Sequence, residues 1–133
     1  MRSADFDDPE VLAEVRAEFD RYEAALVSND REALVEFFLD SPTTIRYGID
    51  DAQYGHAELA AFRRSQAVAT PPRDLQRTVV TAFGRDVAVA NTEFVPHGTS
   101  VTGRQSQVWV RTDAGWKVAS AHVSWLGGRG PAS

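Results

Sequence analysis

Apolar residues recur at Val11, Val15, Phe19, Tyr22 and Leu26, spacings of four, four, three and four that keep one side of a helix apolar. Asp8 can cap the start of that helix, Pro9 suits its first position, and Glu10 favours the positive end of the dipole. Ser28-Asn29-Asp30 interrupts the pattern and caps a short second helix running to about Leu39. Asp40-Ser41-Pro42 ends it, because proline restricts the residue before it. Thr43 to Tyr47 then reads as a short strand, Gly48 to Asp51 as a turn, and Ala52 to Tyr54 as a return strand. A third helix is expected from about His56 to Val68, with Leu59, Phe62 and Gln66 inward and Pro71-Pro72 closing it.

From Asp74 onward the pattern switches to alternation and predicts strands at roughly 75–83, 86–95, 102–111 and 116–125. Helices followed by an antiparallel meander describe an α+β fold, with about three helices packed on one face of a curved, mostly antiparallel sheet. The whole of 1–133 reads as a single domain with an ordered core of about 8–126, and the glycine-rich tail from Gly127 to Ser133 is expected to fray.

The last two strands form a hairpin across Asp113-Ala114-Gly115, a three-residue loop with glycine for the left-handed position. Pairing Thr112 with Trp116 sets Val110 against Val118, Ser106 against His122 and Arg104 against Ser124. One face then runs from Val108, Val110, Trp116 and Val118 to Arg104, Ser106, His122 and Ser124, apolar at one end and polar at the other. Such a face suggests a pocket for an anionic or hydrogen-bonding ligand. The opposite face carries Gln105, Gln107, Trp109, Ala119, Ala121, Val123 and Trp125, too apolar for water, and predicts a homodimer through the outer sheet face.

Composition narrows the chemistry. The chain has no cysteine, which excludes disulfides, thiol catalysis and cysteine-bound metals. A net charge of −5 with scattered basic residues argues against nucleic acid as a partner. No apolar run approaches a membrane span and the start lacks a signal-peptide pattern, so a soluble cytoplasmic protein is the expectation. His56, His97 and His122 are dispersed and no carboxylate cluster joins them, so no metal site is expected. Gly-x-Ser-x-Gly is absent, which argues against acyl-enzyme chemistry.

Four strings carry a resemblance: Ile45-Arg46-Tyr47-Gly48-Ile49, Gln53-Tyr54-Gly55-His56, Gly103-Arg104-Gln105-Ser106-Gln107-Val108-Trp109 and Ala121-His122-Val123-Ser124-Trp125. In this order they resemble the AtzH-like family, within the cone-shaped nuclear-transport-factor-2-like superfold that also holds SnoaL-like proteins and ketosteroid isomerase. The resemblance covers about residues 8 to 126. It implies a decarboxylating amidohydrolase that turns dicarboxyurea, an N-carboxylated urea of cyanuric acid catabolism, into allophanate without a metal or organic cofactor. It also implies a catalytic pair, a helix tyrosine and a strand arginine, corresponding to Tyr22 and Arg46.

Each candidate has a plain structural alternative. Tyr22 lies in the apolar stripe, so it is either a core tyrosine bonded to a carbonyl or a phenol presented to a pocket, donating to an oxyanion or relaying a proton. Arg46 is either a solvated edge arginine or an inward one, and an inward guanidinium needs an anion from the protein or from a ligand. Arg104 is a candidate for a second carboxylate clamp or a surface ion pair, with Ser106 and Ser124 as hydrogen-bonding neighbours. His122 is either a satisfied core histidine or a proton-transfer group that positions water. Glu93 orients an arginine or faces water.

Two other functions stay open on sequence. An isomerase or cyclase needs a carboxylate base beside the tyrosine, for which Asp40 stands near the right point but reads as a turn residue. A non-catalytic accessory subunit associated with an amidase would use its surfaces instead.

Overall fold

The computed structural model describes residues 1–132; Ser133, the last residue of the expected tail, lies outside the described residues. Three helices, α1 (Pro9–Ser28), α2 (Arg31–Glu36) and α3 (His56–Ser65), lie on one face of a six-stranded sheet. The strands are β1 (Ile45–Tyr47), β2 (Ala52–Tyr54), β3 (Arg73–Phe83), β4 (Val87–Pro96), β5 (Gly103–Thr112) and β6 (Gly115–Trp125). Their order is β2-β1-β6-β5-β4-β3, antiparallel except where β1 runs parallel to β6. Among the described residues, no helix is long and apolar enough to cross a membrane.

The signals that start α1 work as their chemistry dictates. Asp8 Oδ1 accepts from the backbone N–H groups of Glu10 and Val11 at 2.9 and 3.4 Å, Pro9 opens the helix, and Asn29 closes it in a left-handed conformation. The stripe Val11, Val15, Phe19, Tyr22 and Leu26 is buried throughout. It packs across β3 and β4, where Ala82, Ala88 and Ala90 leave room for the helix to approach. Asp30 caps α2 through the Ala33 N–H, but the helix stops at Glu36 rather than Leu39. Sheet pairing wins there: Val118 N–H donates to Phe37 O at 2.8 Å and Leu39 N–H to Val118 O at 2.9 Å, so Phe37 and Phe38 leave the helix and enter the core.

The C-terminal hairpin corrects the expected faces. Thr112 pairs with Gly115, leaving a two-residue loop, Asp113-Ala114, and Trp109 pairs with Val118. A bulge then intervenes: Val108 pairs with Ser120, so Ala119 is an extra residue on β6. Beyond it Ser106 meets His122 and Arg104 meets Ser124, as the sequence predicts, because the shorter loop and the extra residue offset each other.

The bulge nevertheless changes which residues face the helices. Trp116, Val118, Trp109, Gln107, Gln105 and Ala121 are buried on the helix side. The row read as a dimer face is therefore largely interior. Strand alternation turns Val108, Val110, Ser106, His122, Arg104 and Ser124 to the other face, together with Val87, Val89, Asn91 and Glu93. The Glu93 carboxylate accepts from Gln76 Nε2 at 3.3 Å on that side.

One contact fixes the far end of the sheet. The Phe94 ring lies over Gly103, where any Cβ would overlap it. Gly103→Ala should therefore displace Phe94 and cost about 1–3 kcal/mol, read as a lower urea midpoint with an unchanged slope. An unchanged midpoint would show that the ring has room to yield.

Candidate functional site

Helices and sheet diverge away from the aromatic core and enclose a cavity of about 440 Å³, within the range of small-molecule sites. Tyr22 and Leu26 border it from α1, Phe62 and Arg63 from α3, and Arg46 from β1. Gln105, Gln107 and Ala121 form its sheet side.

Three arginines border this space, and their partners differ. Arg73 is closed off: its Nε and Nη2 donate to Glu23 Oε2 and Oε1 at 3.1 and 2.6 Å. Nη2 also donates to Gln105 Oε1 at 3.0 Å, and the guanidinium lies 4.2 Å from the centre of the Phe94 ring. Glu23 and Gln105 are joined in turn by a 3.3 Å hydrogen bond from Gln105 Nε2, so this fork-on-carboxylate unit is internally neutral.

Arg46 is half committed. Its Nη1 donates to Asp51 Oδ1 at 2.8 Å and to Gln53 Oε1 at 3.0 Å, while Gln53 Nε2 donates to the same Asp51 oxygen at 2.8 Å. Among the described residues, its Nε and Nη2 have no protein acceptor. The side chain is only 13% exposed and stacks over Phe62 at 5.2 Å, so it is not a solvated edge arginine. Register explains this: Arg46 lies opposite buried Gln53 and Ala121, on the helix side of the sheet.

Arg63 is the residue that sequence reasoning missed. It is 6% exposed and forms no ion pair among the described residues. Its Nη2 donates to Tyr22 Oη at 3.1 Å, and its Nε is buried without a partner. Burial pushes its pKa below the ordinary arginine range; the neighbouring Tyr22 opposes that shift and the Arg46 charge adds to it. The available signal was spacing: Arg63 follows Leu59 by four positions, which puts both on one helix face.

The Tyr22 ring sits in the core, edge-on to Phe37, Phe38 and Trp109, and the residue borders the cavity. Gln107 is also fixed. The Trp109 indole N–H donates to Gln107 Oε1 at 3.1 Å, and an indole can only donate. The Gln107 amide nitrogen must therefore point away from the tryptophan.

The other expected site residues lie elsewhere. Arg104 and Ser106 are exposed on the outer face, where Ser106 Oγ donates to Asn91 Oδ1 at 2.6 Å. Ser124 shares that face with them. His122 borders the cavity between Ala121 and Val123, but alternation turns its imidazole outward, edge-on to Tyr47 at 5.6 Å. A strand can show only every second side chain to one face, so Arg104, Ser106 and Ser124 do not join Gln105 and Gln107 in the cavity, and His122 meets it only at the border. The Asp40 carboxylate is 93% exposed, outside the cavity that an isomerase base would occupy.

The sequence profile of the AtzH-like family matches residues 4–129. The chain belongs to the AtzH-like family. No curated protein matches this AtzH-like chain. Among solved structures, a protein of unknown function from Pectobacterium atrosepticum, of the DUF3225 family, is 44% identical with a TM-score of 0.90. The match covers 95% of this chain and 98% of that one. A cystatin-like fold protein from Burkholderia xenovorans is 43% identical, with a TM-score of 0.85 over 91% of this chain and 95% of that one. A nuclear transport factor 2-like superfamily protein from Salmonella enterica is 24% identical, with a TM-score of 0.69 and 94% of each chain covered, and shows the fold alone.

Proposed function

We propose that this AtzH-like protein is a cofactor-free decarboxylating amidohydrolase acting on an N-carboxylated urea or carbamate, with dicarboxyurea to allophanate as the reaction to test. The observation that carries this reading is the direction of the Tyr22–Arg63 hydrogen bond. Arg63 donates and the phenol accepts, which leaves the Tyr22 O–H proton free for something in the cavity.

In this reaction the bond between a urea nitrogen and its carboxylate carbon breaks, and the nitrogen leaves as a neutral amine rather than an anion. Tyr22 donates the proton that this requires, and the carboxyl group departs as carbon dioxide. The phenolate recovers a proton from water, and the hydroxide left behind joins carbon dioxide as bicarbonate. Arg46 bears on the anionic substrate with the part of its guanidinium that Asp51 and Gln53 leave free. The adjacent Arg63 cation favours the transient phenolate, as a fixed charge near a developing anion does. These steps are written without His122, whose ring stands edge-on to Tyr47 at the cavity border.

Purified protein given freshly generated dicarboxyurea should release allophanate and bicarbonate in equal amounts. Absence of turnover, together with co-purification with an amidase, would replace this reading with that of an accessory subunit.

The assembly that accompanies this reading is a homodimer through the outer sheet face, where Tyr47, Tyr54, Val79 and Val87 remain exposed. Sedimentation as a monomer at micromolar concentration would remove it.

A further inference from the structure

We propose that Arg63 is a carboxylate receptor of the cavity, so that the ligand carries an anionic group reaching deep beside Tyr22 rather than only at the Arg46 rim. This deepens the functional reading above by naming the residue that selects the charge of the substrate. It rests on the cavity being the ligand site but not on the hydrolysis.

Three observations support it. A guanidinium removed from water normally has a carboxylate partner, because desolvating it alone costs several kcal/mol. Arg73 obeys that rule on the same cavity, with Glu23 held in a two-bond fork. Arg63 does not. Of its five N–H groups the protein satisfies one, and the acceptor is a neutral phenol.

The surroundings add to the cost of burying this charge. Phe62 lies 5.8 Å from the Arg63 guanidinium and 5.2 Å from that of Arg46, so two like charges share one aromatic neighbour. Asp51 acts on Arg63 only through charge at a distance, and its Oδ1 already accepts from Arg46 and from Gln53. The charge that completes the set must come from outside the chain. An anion lying between Arg46 and Arg63 would meet the free edges of both, supply the counter-charge that Arg63 lacks and sit beside the Tyr22 hydroxyl.

The identity of the anion follows from the donors. Guanidinium edges match carboxylates in paired hydrogen bonds. Two guanidiniums with unused edges favour a ligand carrying two acceptor groups over one carrying a single group. The cavity volume of about 440 Å³ leaves room for a urea flanked by two carboxylates.

The test uses acetonedicarboxylate, the carbon analogue of dicarboxyurea in which each N–H is a methylene and no C–N bond can break. Calorimetry should show the wild-type protein binding it. Arg63→Met should weaken binding about ten- to a hundred-fold, the scale of a charge-assisted hydrogen bond. Arg63→Lys, which keeps the charge but loses the fork, should fall between the two.

In the absence of ligand, Arg63→Met should melt at or above the wild-type temperature, because it removes a buried charge that lacks a counter-charge. Four results would overturn the proposal: no binding by the wild-type protein at about 10 mM ligand, equal affinity in Arg63→Met, a lower melting temperature in that variant, or its failure to fold. Hydrolysis of dicarboxyurea with unchanged binding in Arg63→Met would discard the receptor and leave the reaction standing. Receptor-dependent binding without hydrolysis would do the reverse.

Discussion

Tyr22→Phe is expected to lower kcat on dicarboxyurea by about 10²- to 10⁴-fold, the usual contribution of a positioned proton donor. The effect should fall on kcat more than on KM, since the charge that binds the substrate resides on the arginines. The substitution is well suited to the question because the ring stays. Its edge-on contacts with Phe37, Phe38 and Trp109 survive, and only the hydroxyl bonded to Arg63 is lost. Losing that acceptor removes the one hydrogen bond Arg63 makes, at about 1–3 kcal/mol, or a melting temperature several degrees lower. A kcat within tenfold of wild type would strip Tyr22 of the donor role.

Trp109→Ala should produce the largest loss of stability, about 3–5 kcal/mol, because it empties the space of a fully buried indole between α1 and the sheet. The ring centres of Tyr22 and Phe37 lie 6.4 and 6.2 Å from it, so both lose an edge contact. For a domain of this size the melting temperature should drop by about 10–20 °C. Trp109→Phe separates packing from hydrogen bonding: it keeps most of the volume but removes the N–H that orients Gln107. That variant should lose less than half as much stability. An alanine variant within about 1 kcal/mol of wild type would mean that the core closes over the gap, against the behaviour of close-packed interiors.

How much of this could be read from the sequence differs by element. The α1 stripe and its Asp8-Pro9 start were legible because helix burial has a simple period and capping is a local interaction. Long strands were legible from alternation. The Ala119 bulge was not, because two errors of one residue offset each other and left the distant pairs, Ser106 with His122 and Arg104 with Ser124, in the predicted register. Faces were therefore assigned from pairs that were right in position and wrong in orientation.

Arg46 was identified as a residue of interest, but Asp51 and Gln53 as its partners depend on the β1–β2 turn closing tightly. Arg63 shares the inward helix face with Leu59 through its four-residue spacing, but arginine on a helix is ordinarily solvated, so the spacing alone did not mark it as buried.

The additional alanine in the last strand has a wider implication. On its hairpin side, β6 sends Trp116 and Val118 into the packed interior; past the insertion, Ala121 and Val123 line the ligand space instead. Strand length, and not side-chain chemistry alone, thus decides which half of an alternating row a bound molecule meets. Gain or loss of a single codon there would exchange what this strand gives the wall, turning Ser120 and His122 inward where Ala121 and Val123 now stand. A chain so changed would meet its ligand with different groups on the same scaffold, although no position of it had been substituted.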